Sequence, residues 1–200
     1  MIAILLNDAS FEQDIRELLM AFYPGETFTH KEEEAGEAEL IVRGVRDGNS
    51  FSLDVTPVKK EAVHFALIYP DFSNRFETKN EIKQTLYRLL SAQTGRELPW
   101  GTLTGIRPTK IALTKLYDGW TDEQIETYMR ETYFTSKEKI DLSIDVAERE
   151  RRLLSTIDYE NGYSLYVGIP FCPTTCLYCS FTSFPIVKWE KRMDLYKEAL

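Results

Sequence analysis

Cysteine and histidine are scarce in this chain: three and two among 200 residues. An odd cysteine count excludes a fully paired disulfide framework. Two isolated histidines, His30 and His64, offer no acid–base pair. No apolar run approaches the ~20 residues that span a bilayer. The opening MIAILLNDASFEQDI lacks the basic segment and small-residue cleavage site of a signal peptide. An excess of positive charge is missing too. Lys and Arg number 24 against 32 Asp and Glu, so the formal net charge is −8 and the pI is near 5.0. That balance excludes a general attraction to nucleic acid or anionic membranes. There is no glycine-rich phosphate loop, no paired-carboxylate constellation and no internal repeat. A cytoplasmic, reducing compartment is the expectation for free thiols.

What is present suffices for a core: 43% of residues are apolar and 12% aromatic. Ile2 to Leu6 reads as a buried strand. Ser10 and Gln13 have the spacing of a capping box before a helix carrying Phe11, Ile15, Leu18, Leu19 and Phe22, stopped by Tyr23-Pro24-Gly25. Lys31 to Glu39 reads as a solvated acidic loop. Asp47-Gly48-Asn49 joins two alternating runs, Leu40 to Arg46 and Ser50 to Val58, as a hairpin. Ala62 to Tyr69 extends it by a third strand. Thr78 with Glu81 suggests a cap for a helix buried through Ile82, Leu86, Leu89 and Leu90, with Gly95 ending it.

A shaped loop rich in Gly and Pro, Leu98 to Lys110, follows. Pro108 suits the first turn of a helix through Ile111 and Leu116. Thr121 and Gln124 cap a helix with Ile125, Tyr128 and Met129, and Ser136 opens a longer one through Ile140, Ile144, Ala147 and Leu154. Trp100 and Trp120 read as core anchors. Arg107 and Lys110 at a helix start suit an anion, but solvated basic residues on a capped helix account for them more simply. Asp158 to Gly162 marks a boundary. Tyr163 to Phe171 predicts a new strand, and Val187 to Leu200 an amphipathic helix that is still running where the chain stops. The expected fold class is therefore α/β. An accessory α+β domain over 1–157 is followed by the first strand–loop–helix of a larger, incomplete domain over 158–200.

All three thiols lie between that strand and that helix, in Cys172-Pro-Thr-Thr-Cys176-Leu-Tyr-Cys179. Three thiolates in a C-x3-C-x2-C run can hold three irons of a cubane iron–sulfur cluster and leave the fourth open. A structural zinc site competes, but it needs a fourth ligand from distant His30 or His64. A thioredoxin-like pair of Cys176 and Cys179 leaves Cys172 unexplained.

The segment Tyr166-Val-Gly-Ile-Pro-Phe-Cys172-Pro-Thr-Thr-Cys176-Leu-Tyr-Cys179-Ser-Phe resembles radical S-adenosylmethionine enzymes, and among them the oxygen-independent coproporphyrinogen III oxidase group, whose motif has the form Y-x-H-I-P-F-C-x3-C-x2-C. Trp-Gly-Thr-Leu-Thr-Gly-Ile-Arg-Pro-Thr-Lys110 and the general layout are similar to the HemZ, or coproporphyrinogen dehydrogenase, branch. The resemblance implies that residues 158–200 begin a radical S-adenosylmethionine partial (β/α) barrel, too short to turn over alone. It implies a 4Fe-4S cluster on Cys172, Cys176 and Cys179, with S-adenosyl-L-methionine chelated at the open iron. Tyr178 matches the position beside the adenine, and Tyr166 a tyrosine near the cluster. The implied reaction is oxidative decarboxylation of coproporphyrinogen III to protoporphyrinogen IX in heme biosynthesis, with a flavodoxin- or ferredoxin-type reductant. Two departures bear on the substrate. Gly168 stands at the motif's histidine, and Phe181 at a further cysteine that the well-known oxidases carry and heme-chaperone relatives lack. A cluster-containing heme-binding protein and a radical enzyme with another substrate are the alternatives.

Overall fold

The computed structural model describes residues 1–58, 63–105, 107–158 and 161–200. They divide into two compact units, Met1–Thr156 and Ile157–Leu200.

The first unit is built on a five-stranded mixed sheet, which gives an α/β architecture. Strands β1 (Ile2–Leu6), β2 (Phe28–Thr29), β3 (Leu40–Asp47), β4 (Ser50–Pro57) and β5 (His64–Ile68) lie in the order β2-β1-β3-β4-β5. β1 runs parallel to both β2 and β3, while β3, β4 and β5 form an antiparallel meander. Alternation sets the faces. Ile2, Ile4, Leu40, Val42, Phe51, Leu53 and Val55 are buried on one face. They pack against α1 (Glu12–Phe22) through Ile15, Leu18, Leu19 and Phe22, and against α2 (Arg75–Thr94) through Ile82, Leu86, Tyr87 and Leu90. The hairpin forms as expected, with Gly48 at φ +56°. The third meander strand covers His64–Ile68; residue 62, included in the expected strand, lies outside the described residues.

Local details differ from the sequence expectation for physical reasons. Residues Glu32–Glu37 are not a loop but a 3-10 turn, because Ala35 and Ala38 bury against Ala3 on the sheet's second face. Asp8, not Ser10, accepts the capping bond, from the Ser10 amide, and Gln13 instead donates to Glu17. The cap of α2 is Asn74, which accepts from the Glu77 amide. Thr78 therefore sits inside the helix, its hydroxyl donating 2.7 Å to the Asp71 carbonyl. Gly95 takes the left-handed C-cap conformation, as expected.

Helices α3 (Pro108–Tyr117), α4 (Asp122–Tyr133) and α5 (Lys137–Leu154) form a second core from Ala112, Leu116, Ile125, Met129, Ile140, Ile144 and Ala147. Pro108 begins α3, Thr121 and Gln124 make a complete capping box, and Ser136 caps α5. The loop before α3 joins the two halves of this unit. Its Leu98 amide donates to the Tyr87 hydroxyl, the Thr102 amide to the Tyr133 carbonyl at 2.7 Å, and the Pro99 carbonyl accepts from Ser136. Gly101 is required there: a Cβ would stand 1.9 Å from the Tyr133 carbonyl oxygen.

The second unit is sparse. The strand expected over Tyr163 to Phe171 is paired only at β6 (Phe171–Cys172), which lies parallel to β7 (Phe184–Pro185). Residues 163–170 have no ladder partner among the described residues, and Tyr163, Leu165 and Tyr166 are exposed. A parallel strand is stable only with covered faces and paired edges. The helix expected over Val187 to Leu200 is split into α6 (Ile186–Trp189), a 3-10 turn (Glu190–Arg192) and α7 (Met193–Ala199). Among the described residues, no helix is long and apolar enough to cross a membrane.

Candidate functional site

The cysteine loop is rooted in the short parallel pair of the second unit. Cys172 sits on β6 opposite Pro185, and the Phe184 amide donates 2.7 Å to the Pro170 carbonyl. An aromatic cluster holds this root. The Phe171 ring lies 5.1 Å from Tyr196 and 6.1 Å from Trp189, and Phe184 lies 5.3 Å from Trp189. The Phe171–Tyr196 pair is edge-on, an arrangement that contributes beyond its area, and the two Trp189 pairs are tilted. Tyr196 falls on the face of the helix expected over Val187 to Leu200, whereas Trp189 was not anticipated. The signal for Trp189 was the aromatic content of the run after Phe184; the expected helical face was Val187, Met193, Leu195, Tyr196 and Leu200.

Within the loop, the Cys179 amide donates 3.0 Å to the Cys176 carbonyl. The Cys-Leu-Tyr-Cys step is thus a closed turn that sets the second and third thiols on one short bend. Leu177 and Tyr178 at its tip are exposed. All three cysteines are free; Cys172 and Cys179 are half-buried and Cys176 is exposed. Their side chains are not drawn together: among the described residues, no three His, Cys, Asp or Glu side chains are grouped to hold a metal ion. The donor set nevertheless suits a soft metal centre. It is all thiol and unpaired by disulfides; Cys176 and Cys179 share a turn without regular structure, and Cys172 lies at the end of β6.

The other expected positions separate. Tyr166 and Tyr178 are both exposed, at 84% and 91%. The Gly168 carbonyl accepts a 2.6 Å bond from the Tyr196 hydroxyl, and a Cβ at Gly168 would meet the Tyr166 ring at 3.3 Å. Phe181 is exposed. In the first unit, the His30 ring contacts the Ile4 carbonyl and Glu12, and His64 lies on β5. Arg107 is engaged by Glu150 at 2.6 and 2.7 Å. Trp120 packs beside the helical core, as an anchor should.

No protein-family model matches the chain, and no solved structure matches it. A curated protein does. Oxygen-independent coproporphyrinogen-III oxidase-like protein HemZ of Bacillus subtilis (strain 168) is 36% identical over 135 residues, which are 66% of this chain and 26% of that protein. Over that stretch this chain is similar to a HemZ-like protein. It spans about a quarter of that relative's length. The three cysteines all lie in the second unit, while the buried hydrophobic residues among those described lie in the first.

Proposed function

We propose that this HemZ-like chain contributes the cluster-binding segment of a radical S-adenosylmethionine oxidoreductase. The proposed reaction is oxygen-independent conversion of coproporphyrinogen III to protoporphyrinogen IX. The observation that carries the reading is the set of three free thiols in the one segment Cys172 to Cys179, the chain's entire cysteine content, in a relative of HemZ. Cys172, Cys176 and Cys179 would hold a 4Fe-4S cluster. When bound, such a cluster supplies the electron that cleaves S-adenosyl-L-methionine and starts hydrogen abstraction. Tyr178 at the turn's tip and Tyr166 before the strand would line the side on which the cofactor enters. Residues 1–157 would be the accessory domain and 158–200 the opening of the catalytic barrel, served by a small reducing protein in a reducing cytoplasm.

Anaerobic reconstitution with iron and sulfide tests this reading. The expected outcome is one cluster per chain, with an electron paramagnetic resonance signal that changes when S-adenosylmethionine is added to the reduced protein. Replacing any of Cys172, Cys176 or Cys179 by Ala should remove the signal. A chain that takes up zinc alone, or that keeps its cluster after all three replacements, would sink the reading. Phe181 favours one second reading, a cluster-containing heme-binding protein. Stoichiometric heme binding without porphyrinogen turnover would select it.

A further inference from the structure

The chain is acidic overall, yet Gly105 to Tyr117 contains Arg107, Lys110 and Lys115 and no carboxylate. In the first unit these three cations border a hollow of about 350 Å³ whose remaining wall is largely aromatic and aliphatic: Phe76 from α2, Ile111 from α3, and Tyr128 and Tyr133 from α4. The volume lies within the range of small-molecule sites, and a mostly apolar wall with a few convergent polar groups is their usual make-up. Arg107 is engaged by Glu150. Lys110 and Lys115 have no carboxylate partner among the described residues. Lys115 instead lies over the Trp120 ring at 4.1 Å and the Tyr128 ring at 4.9 Å. Phe76 remains more than half exposed although it borders the hollow.

The phenols add a donor. The Tyr128 and Tyr133 hydroxyls lie 3.3 Å apart. One donates to the other, and the second proton has no acceptor among the described residues. Burial raises the Tyr133 pKa, aided by the Tyr128 bond, so that phenol stays protonated and able to donate.

We infer that this hollow binds an aromatic carboxylate, with its ring against Phe76, Ile111 and Tyr128 and its carboxylate paired with Lys110 and Lys115. Two unpaired ammonium groups beside an apolar floor favour an anion over a neutral ring. The apolar, aromatic wall favours a ring over an inorganic anion, which would leave the aromatic surface in water. The inference uses only first-unit residues and does not draw on the cysteine loop. Its failure leaves the cluster reading untouched.

Calorimetric titration of the whole chain with naphthalene-2-carboxylate, against naphthalene-2-methanol as the neutral analogue, tests it. The carboxylate should bind about tenfold tighter than the alcohol, the size expected when a charge-assisted pair is added. Replacing both lysines (Lys110→Gln with Lys115→Gln) should erase that ratio and leave alcohol binding in place. Lys110→Glu, on an exposed side chain, should weaken the carboxylate further without altering the circular dichroism, which guards against a folding defect at Lys115. Lys139→Gln, beside Trp100 and remote in sequence, should change nothing. Equal affinity for acid and alcohol, no binding of the acid, or an acid-to-alcohol ratio that survives Lys110→Glu would each overturn the inference.

Discussion

Lys83 has one polar contact and little else that favours its charge. It is 5% exposed, and its ammonium donates 2.7 Å to the Thr104 hydroxyl, which donates 3.1 Å to Glu17. Burial lowers its pKa, Asp14 and Glu17 oppose that, and Lys79 adds to it. The sign follows from proton counts. Below the folded-state pKa both states are charged, and the cost of the buried ammonium is fully present. Between that value and the ordinary lysine value, the unfolded chain holds a proton that the folded chain has released. Stability contributed by this group therefore rises with pH through that window. Lys83→Met should remove the rise: the difference in urea midpoint between wild type and variant should change steadily from neutral to alkaline pH. A constant difference would place the ammonium in effective contact with water. The sequence showed the stripe around Lys83, Ile82, Leu86, Leu89 and Leu90, but not that the lysine beside it points inward. That depends on Thr104, 21 residues away, folding back over it.

Caps and turns divide sharply into those that local sequence specifies and those that tertiary contacts override. Thr121 with Gln124, Ser136, Pro108 and Gly95 act as their chemistry demands. Thr78 with Glu81 has the right spacing, yet Asn74 lies one turn earlier and captures the helix start. The same competition separates two glycines that look alike. Gly48 and Gly101 both have φ +56°, but a Cβ at Gly48 meets nothing within 4 Å, whereas at Gly101 it meets backbone of Tyr133 and Phe134 at 1.9 and 2.6 Å. Gly48→Ala should cost about 1–2 kcal/mol, the left-handed backbone term alone. Gly101→Ala should cost more than about 4 kcal/mol, because the loop must leave the α4–α5 junction. Chemical denaturation of the two variants checks the ranking, and similar losses would mean that the loop yields easily. No reading of Trp-Gly-Thr could have told them apart, since the obstructing carbonyl lies more than thirty residues on.

The largest departure from expectation concerns the second unit, and its cause is partnership. Tyr163 to Phe171 has the apolar density of a buried strand, and β1 was legible from the same signal, whereas the two-residue β2 carries too little pattern to be read. β1 is flanked by β2 and β3, so its pattern is realised. Residues 163–170 have no flanking strand among the described residues, and a strand without neighbours has nothing to pay for its ordering. The site was legible as residue types and spacing; its convergence was not, because nothing described draws the three thiols together. Burial follows the same division. Among the described residues, every buried hydrophobic one falls between Ile2 and Ala147, and none in 161–200 is buried. Cooperative unfolding should therefore belong to the first unit. A chain ending at Thr156 should melt in one transition within about 2 °C of the whole chain, which corresponds to less than about 1 kcal/mol at this size. A clearly lower or broadened transition would show that residues 157–200 stabilise the first unit. An unchanged one would mean that the cysteine turn is free to be reshaped around a cluster at no cost to the core.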